Sequence, residues 1–290
     1  MKEINATLPF SKMHGVGNDY VYFDWRAGLP ADLSMLSRQV SNRHFGLGSD
    51  GIVVILPSTV ADFRMRMFNA DGSEAQMCGN ASRCIAKYVY EHNLTDKTTL
   101  MLETLAGIKH LSFKPLGNKV NDVTVDMGRA ITVASNIPVI AEQTDSIPVE
   151  AQGINLIITA VGMGNPHGVI FTDKITDKQV MEFGPMLEHA DIWPEGANIE
   201  FAEVLSRSAL RMRVWERGTG ETYACGTGAC ATAIAAYRRG LTGPDVSVEM
   251  RGGTLHIRID EREHVMMTGP AVEVARGELF LDSLNNNPEI

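Results

Sequence analysis

The chain is written twice. The segment Arg64 to Gly79 begins R-M-R-M-F and ends M-C-G, and 147 residues later Arg211 to Gly226 begins R-M-R-V-W and ends A-C-G. Glu74 meets Glu221 at the same spacing, and G-V-G-N at Gly15 to Asn18 meets G-M-G-N at Gly162 to Asn165. An offset of 147 in 290 residues is half the chain, and two separate matches at one offset with no net gap are hard to obtain by chance. A period this long is domain-sized, so it indicates a duplicated domain rather than a solenoid of small repeats.

Each half repeats one local order. Ile52 to Leu56 and Arg64 to Phe68 read as strands, rich in β-branched or large apolar residues and bounded by Gly, Pro and Asp. A polar, Gly-containing loop follows, and then Cys78 heads a helix. In that helix Ala81, Cys84, Ile85, Tyr88 and Val89 form one apolar stripe at helical spacing. The second half gives a strand at Arg211 to Trp215, a loop, and a helix headed by Cys225. Its stripe is Cys230, Ala233, Ile234 and Tyr237, with Gly240 as the stop. Val120 to Val125 and Thr254 to Ile259 alternate as further strands, and the polar tail Asn285 to Ile290 is expected to be frayed.

Hydrophobic residues at 44% and charged residues at 21% describe a globular chain, and a net charge of -9 without basic runs disfavours a nucleic-acid partner. The first residues lack the apolar core of a secretory signal. The longest apolar stretch, Ile154 to Val161, is too short to span a bilayer. The expected location is the cytoplasm. Four cysteines in that setting do not read as a disulfide framework, which leaves catalysis, metal binding or burial.

Cys78 and Cys225 sit at equivalent helix starts, each followed by Gly. Free backbone N–H groups and the helix dipole favour negative charge there, so each thiol is expected to ionise more readily than a free cysteine. Two such helix ends facing one another would hold one carboxylate and set a sulfur on each side of its α-carbon. That layout inverts a stereocentre: one thiolate removes the α-proton and the opposite thiol returns another. Cys84 and Cys230 fall on apolar stripes and read as core. The spacings C-x₅-C and C-x₄-C on helices do not match structural zinc, and no lysine has a pyridoxal-phosphate context; neither metal nor organic cofactor is expected. Two copies of G-x-G-N single out Asn18 and Asn165. His167 reads equally as a base or a loop histidine, and Glu216 with Arg217 reads by default as a solvated ion pair.

The whole chain resembles the diaminopimelate epimerase family. The resemblance runs from S-K-M-H-G-V-G-N-D-Y-V through M-C-G-N-A-S-R-C, G-N-P-H and A-N-I-E-F to W-E-R-G-T-G-E-T-Y-A-C-G-T-G-A-C-A. It implies an α+β fold of two pseudo-symmetric domains, each a mostly antiparallel sheet wrapped round a central helix. The implied domains are 1–123 with 271–290, and 124–270. The implied reaction interconverts LL- and meso-diaminopimelate on the route to lysine and peptidoglycan, without cofactor. Cys78 and Cys225 match the catalytic pair, the first as base toward the LL substrate and the second toward meso. Gly79, Asn80, Gly226 and Thr227 match the donors to the reacting carboxylate. Asn18, Asn69, Asn165, Asn198, Glu216 and Arg217 match substrate-binding positions, and His167 and Glu216 match groups that assist the thiols. Ala81 and Ser82 replace the commoner Gly-Ala, Gly168 replaces a frequent Cys, and Gly51 stands where some members have Gln. A homodimer is left open. The rivals are a proline or hydroxyproline racemase, which has no use for reading a distal amino acid, and a non-catalytic dithiol protein.

Overall fold

The computed structural model describes residues Thr7–Leu284, so the tail Asn285 to Ile290 lies outside the described residues. By its internal contacts the chain divides into two compact units: residues up to Val125 with those from Pro270 onward, and Asp126–Gly269. The first unit contains β1 (Thr7–Gly15), β2 (Asn18–Asp24), helix α1 (Leu33–Ser41), β3 (Gly51–Leu56), β4 (Phe63–Asn69) and β5 (Glu74–Ala75). Helix α2 (Gly79–Glu91), β6 (Thr99–Thr104), β7 (Gly107–Phe113) and the start of β8 (Asp122–Arg129) follow. The sheet runs β8, β7, β6, β4, β3, β2, β1 and then the last strand, Val272–Phe280. Only β2 with β3 and β4 with β6 pair in parallel; the rest is antiparallel.

The second unit repeats this plan. It contains β9 (Ile147–Ala151), β10 (Ile154–Gly162), β11 (Pro166–Phe171), α3 (Gly184–Glu188), β12 (Asn198–Ser206), β13 (Ala209–Glu216) and β14 (Gly220–Glu221). Helix α4 (Gly226–Arg238), β15 (Asp245–Met250), β16 (Gly253–Ile259) and β17 (His264–Pro270) complete it. The pairing order is β9, β10, β11, β12, β13, β15, β16, β17, with β11–β12 and β13–β15 parallel. Register is kept residue for residue at the 147 offset: Val21↔Ile52 becomes Gly168↔Ile199, Ile52↔Phe68 becomes Ile199↔Trp215, and Phe68↔Glu74 becomes Trp215↔Glu221. Because a one-residue slip turns every side chain to the other face, this agreement fixes which side chains correspond.

Period-two alternation then assigns the faces. In β3, Ile52 and Val54 pack with Leu36 and Val40 of α1, which sends Val53 and Ile55 to the opposite face. In β12, Ile199 and Phe201 pack with Phe183, Leu187 and Trp193, which sends Glu200 to the side of α4. A strand buried on both faces reads as an unbroken apolar run, and G-I-V-V-I-L of β3 is one.

Helices α2 and α4 are buried on all sides over Gly79 to Val89 and most of Gly226 to Ala236, a wider enclosure than the single stripe expected. Tyr237, expected on the buried stripe, is 36% exposed, because it lies in the last turn where α4 emerges. The two helices end alike. Asn93 (φ 57) and Gly240 (φ 69) adopt the left-handed conformation, and the N–H of the next leucine bonds the carbonyl of Val89 or Ala236. This is the helix-terminating arrangement that a left-handed residue permits. Lys87 is buried in α2 and is satisfied by the Val120 carbonyl (2.7 Å) and Glu91 (2.6 Å).

Candidate active site

In the first unit Cys78 is the N-cap of α2, with extended backbone (φ −139, ψ 123), as its place at the helix head requires. A directed chain of hydrogen bonds surrounds it. The Arg83 guanidinium donates to Asn80 Oδ1 (2.8 Å), Asn80 Nδ2 donates to Asn18 Oδ1 (3.2 Å), and Asn18 Nδ2 donates to Asp50 Oδ2 (2.8 Å). With a cation at one end and a carboxylate at the other, neither amide can flip without opposing like groups. Asn18 Oδ1 is thereby held toward Cys78, whose thiol donates to it at 3.4 Å. Asp50 also accepts from the Asp19 N–H (3.1 Å); burial pushes its carboxyl up, the Asn18 bond opposes this, and neighbouring Asp19 adds to it. A Cβ on Gly15 would lie 2.8 Å from Arg83 Nη2 and 3.1 Å from Asn80 Cβ, so only glycine lets β1 come this close.

Asn69 ends β4 and donates to Ser73 Oγ (3.0 Å), while its carbonyl accepts from the buried Ser37 hydroxyl of α1 (2.7 Å). At Gly51 any side chain is excluded, since a Cβ would stand 2.0 Å from the Phe68 carbonyl oxygen.

In the second unit Cys225 is the N-cap of α4 and is 6% exposed. Its sulfur accepts from the Gly228 N–H (3.3 Å) and lies 3.4 Å from Thr227 Oγ1. Glu216, at the end of β13, accepts from the Thr222 hydroxyl. His167 of β11 is fully buried between two partners: Nδ1 lies 2.7 Å from Glu200 Oε1 and Nε2 lies 2.9 Å from Asn165 Oδ1. The expectation that a helix-start thiol ionises readily fails at Cys225. Burial pushes this thiol well up, and the Glu216 and Glu200 carboxyls push it further; the Thr227 and Gly228 bonds are weaker counterweights. Glu216 is itself pushed up, first by burial and also by Glu200, against the Thr222 and His167 interactions. Helix-end stabilisation is worth about 0.3–1 kcal/mol near a surface, less than the cost of a buried anion beside two carboxyls.

Asn198 and Arg217 come together. Asn198 Nδ2 donates to the Pro166 carbonyl (3.1 Å), and Asn198 Oδ1 accepts from the Arg217 N–H (3.0 Å). The Arg217 guanidinium does not pair with Glu216, the default reading of that dipeptide; Nη1 donates instead to the Glu195 carbonyl (3.2 Å). Gly196, left-handed at φ 72, passes under the Arg217 stem, with 3.3 Å from a notional Cβ to Cδ. Buried Glu188 of α3 accepts from Trp215 Nε1 (2.8 Å) and from the Gly218 N–H (2.7 Å), one on each side of Glu216–Arg217. Cys84 and Cys230 are fully buried, and burial pushes the Cys84 thiol up to about 11.

Sequence reasoning missed Asp50, Arg83, Glu188 and Glu200. Glu200 was the easiest to find: at the 147 offset it falls on Val53, a charge replacing an apolar residue inside a strand. Among the described residues no group of three or more His, Cys, Asp or Glu could hold a metal, and no helix is long and apolar enough to cross a membrane.

A family model described as diaminopimelate epimerase matches residues 10–133 and 159–274. The chain is 51% identical to the diaminopimelate epimerase of Desulfovibrio desulfuricans over 288 residues, covering 95% of this chain and 99% of that one. Against that of Agathobacter rectalis it is 49% identical, covering 94% and 99%, and against that of Methanococcus maripaludis 48%, covering 94% and 99%. Among solved structures, a hydroxyproline epimerase from Agrobacterium vitis superposes with a TM-score of 0.72 at 16% identity, over 99% of this chain and 95% of that one. That likeness shows the shared fold alone. A family match across both halves, with half the residues identical to relatives of the same length, settles the lineage: the chain belongs to the diaminopimelate epimerase family.

Proposed function

We propose that the chain interconverts LL- and meso-diaminopimelate, with Cys78 and Cys225 as base and acid on one α-carbon. The observation that carries this reading is the repeated N-cap cysteine. Each unit presents one at the head of a buried central helix, in a register kept across the duplication. In the LL-to-meso direction the α C–H bond breaks and its proton passes to the Cys78 thiolate. The electron pair spreads into the α-carboxylate, and a new C–H bond forms with the proton of the Cys225 thiol. The two sulfurs have then exchanged protonation states, and solvent returns them to the starting form. The backbone N–H groups of Gly79, Asn80, Gly226 and Thr227 supply the positive field for the carboxylate as its charge grows.

Asn18 and Asn165 orient the reacting end. His167 and Glu216 set the proton on the second thiol. Asn69, Asn198 and Arg217 read the distal amino acid, where a guanidinium fork suits a carboxylate. That distal reading separates this substrate from proline-sized ones. The reading includes a cytoplasmic location.

The test is labelling in D₂O. Because a thiol exchanges its proton with solvent, meso product formed from LL substrate should carry deuterium at the inverted carbon from the first turnover, while the remaining LL pool stays unlabelled early. Equal early labelling of substrate and product would identify a single base serving both faces. Cys78→Ala and Cys225→Ala should each lose at least about 10²-fold, the lower range for an acid–base group.

A further inference from the structure

Glu200 has no part in the reaction as proposed above, yet it is fully buried and on the side of the helix that carries Cys225. Strand alternation puts it on the α4 face of β12. There a Cβ on Gly228 would stand 2.6 Å from Glu200 Oε1, and the Gly228 N–H is the one bonded to Cys225 Sγ at 3.3 Å. Its Oε1 is 2.7 Å from His167 Nδ1. His167 Nε2 in turn lies 2.9 Å from the Asn165 amide oxygen. The first unit has no counterpart. At the same offset Val53 stands for Glu200 and Tyr20 for His167. The two halves therefore differ in charge at this place.

We propose that Glu200 is a positioning residue whose carboxylate keeps the proton on Cys225 Sγ in the free protein. A helix start alone would draw the thiol toward its anion. A carboxylate wedged against the first turn of α4 opposes that pull and leaves Cys225 as the proton-bearing partner. The groups bearing on the sulfur from the packed elements are Glu216 of β13, which shares a hydrogen bond with the thiol, Glu200 of β12, and Thr227 with the Gly228 N–H of α4; His167 of β11 stands behind the two carboxyls. Burial and the two carboxyls act in one direction, and only the hydroxyl and the N–H act in the other. This inference rests on reading Cys225 as an acid in catalysis, but its test needs no substrate.

The thiolate absorbance at 240 nm is followed against pH for the protein and for its Cys225→Ser counterpart, and the difference isolates Cys225 without requiring access to it. In the wild type that difference should be absent at pH 7. In Glu200→Gln, which keeps a hydrogen-bonding group on His167, the midpoint should fall by at least one unit, a ten-fold gain in thiolate at a fixed lower pH. A midpoint equal to that of the wild type, or Cys225 thiolate already present at pH 7 in the wild type, overturns the proposal. Should Glu200→Gln not fold, Glu200→Asp carries the same test. Drawing the carboxylate back by one methylene should lower the midpoint, and no change overturns the idea. Loss of turnover leaves these profiles readable, and the D₂O experiment judges the catalytic reading separately.

Discussion

A single methyl group at Gly228 tests how tightly the second thiol is held. Gly228 lies in the first turn of α4, where alanine would ordinarily stabilise a helix by about 1 kcal/mol. Here the added Cβ would lie 2.6 Å from Glu200 Oε1, 3.2 Å from Cys225 Cβ and 3.3 Å from Cys225 Sγ. The first distance is well inside ordinary contact, so the carboxylate must move, and it is fully buried and bonded to His167. Losing a hydrogen bond to a charged group costs about 1.5–3 kcal/mol, which outweighs the helix gain. Gly228→Ala should therefore lower stability by roughly 0.5–2 kcal/mol on that balance. Turnover should fall much further, because a displacement near 1 Å of a reacting group costs about 10²-fold. The duplication supplies the control: Ala81 already occupies the equivalent place in α2, where Val53 stands for Glu200. Ala81→Gly should lose only the helix preference, about 1 kcal/mol, and leave turnover close to wild type. Urea unfolding and initial rates of epimerisation check both variants. A Gly228→Ala protein as stable and as active as the wild type would refute the packing argument.

Two further outcomes follow from particular groups. Burial alone would raise the Glu91 carboxyl, but bonds from Lys87, the Val120 N–H and Lys119 outweigh it and hold it down to about 2. A depressed carboxyl stabilises the fold above its unfolded value and loses that contribution as pH falls through the folded one, a difference of at most about 3 kcal/mol. Glu91→Gln should therefore be less stable at pH 7 by urea unfolding, with the gap closing between about pH 4.5 and 2; a gap that stays constant would exclude this linkage. Arg217→Lys keeps the charge but loses the fork aimed by Glu195 and Gly196. Its kcat/KM for diaminopimelate should drop by more than ten-fold, in line with about 2–5 kcal/mol for a broken charge pair, and near-normal turnover would put the distal reader elsewhere.

The duplication was legible because it is a property of spacing alone. An offset read from a few letters carries over to strand register, to helix starts at Cys78 and Cys225, and to helix ends at Asn93 and Gly240. Periodicity did less well on the central helices. A stripe is what a helix shows when one face meets water, and α2 and α4 are enclosed by sheet on every side. Their polar residues are therefore buried with partners, as Lys87 is with Val120 and Glu91. The thiol environment was the least legible part. The carboxyls that push the Cys225 thiol up come from β12 and β13, brought to α4 by pairing rather than by proximity in sequence. A helix start read along the chain shows only the N–H groups that favour an anion; the carboxyls that oppose it arrive from other strands. Glu200 could still have been found, because N-I-E-F-A alternates: with Ile199 and Phe201 on one face, the carboxylate between them must point at whatever packs on the other. A charge in that position, matched by Val53 in the other half, makes the two halves differ beside the second central helix. The duplication supplies one N-cap cysteine to each half, and on our proposal Glu200, where the first half has Val53, keeps the second one protonated.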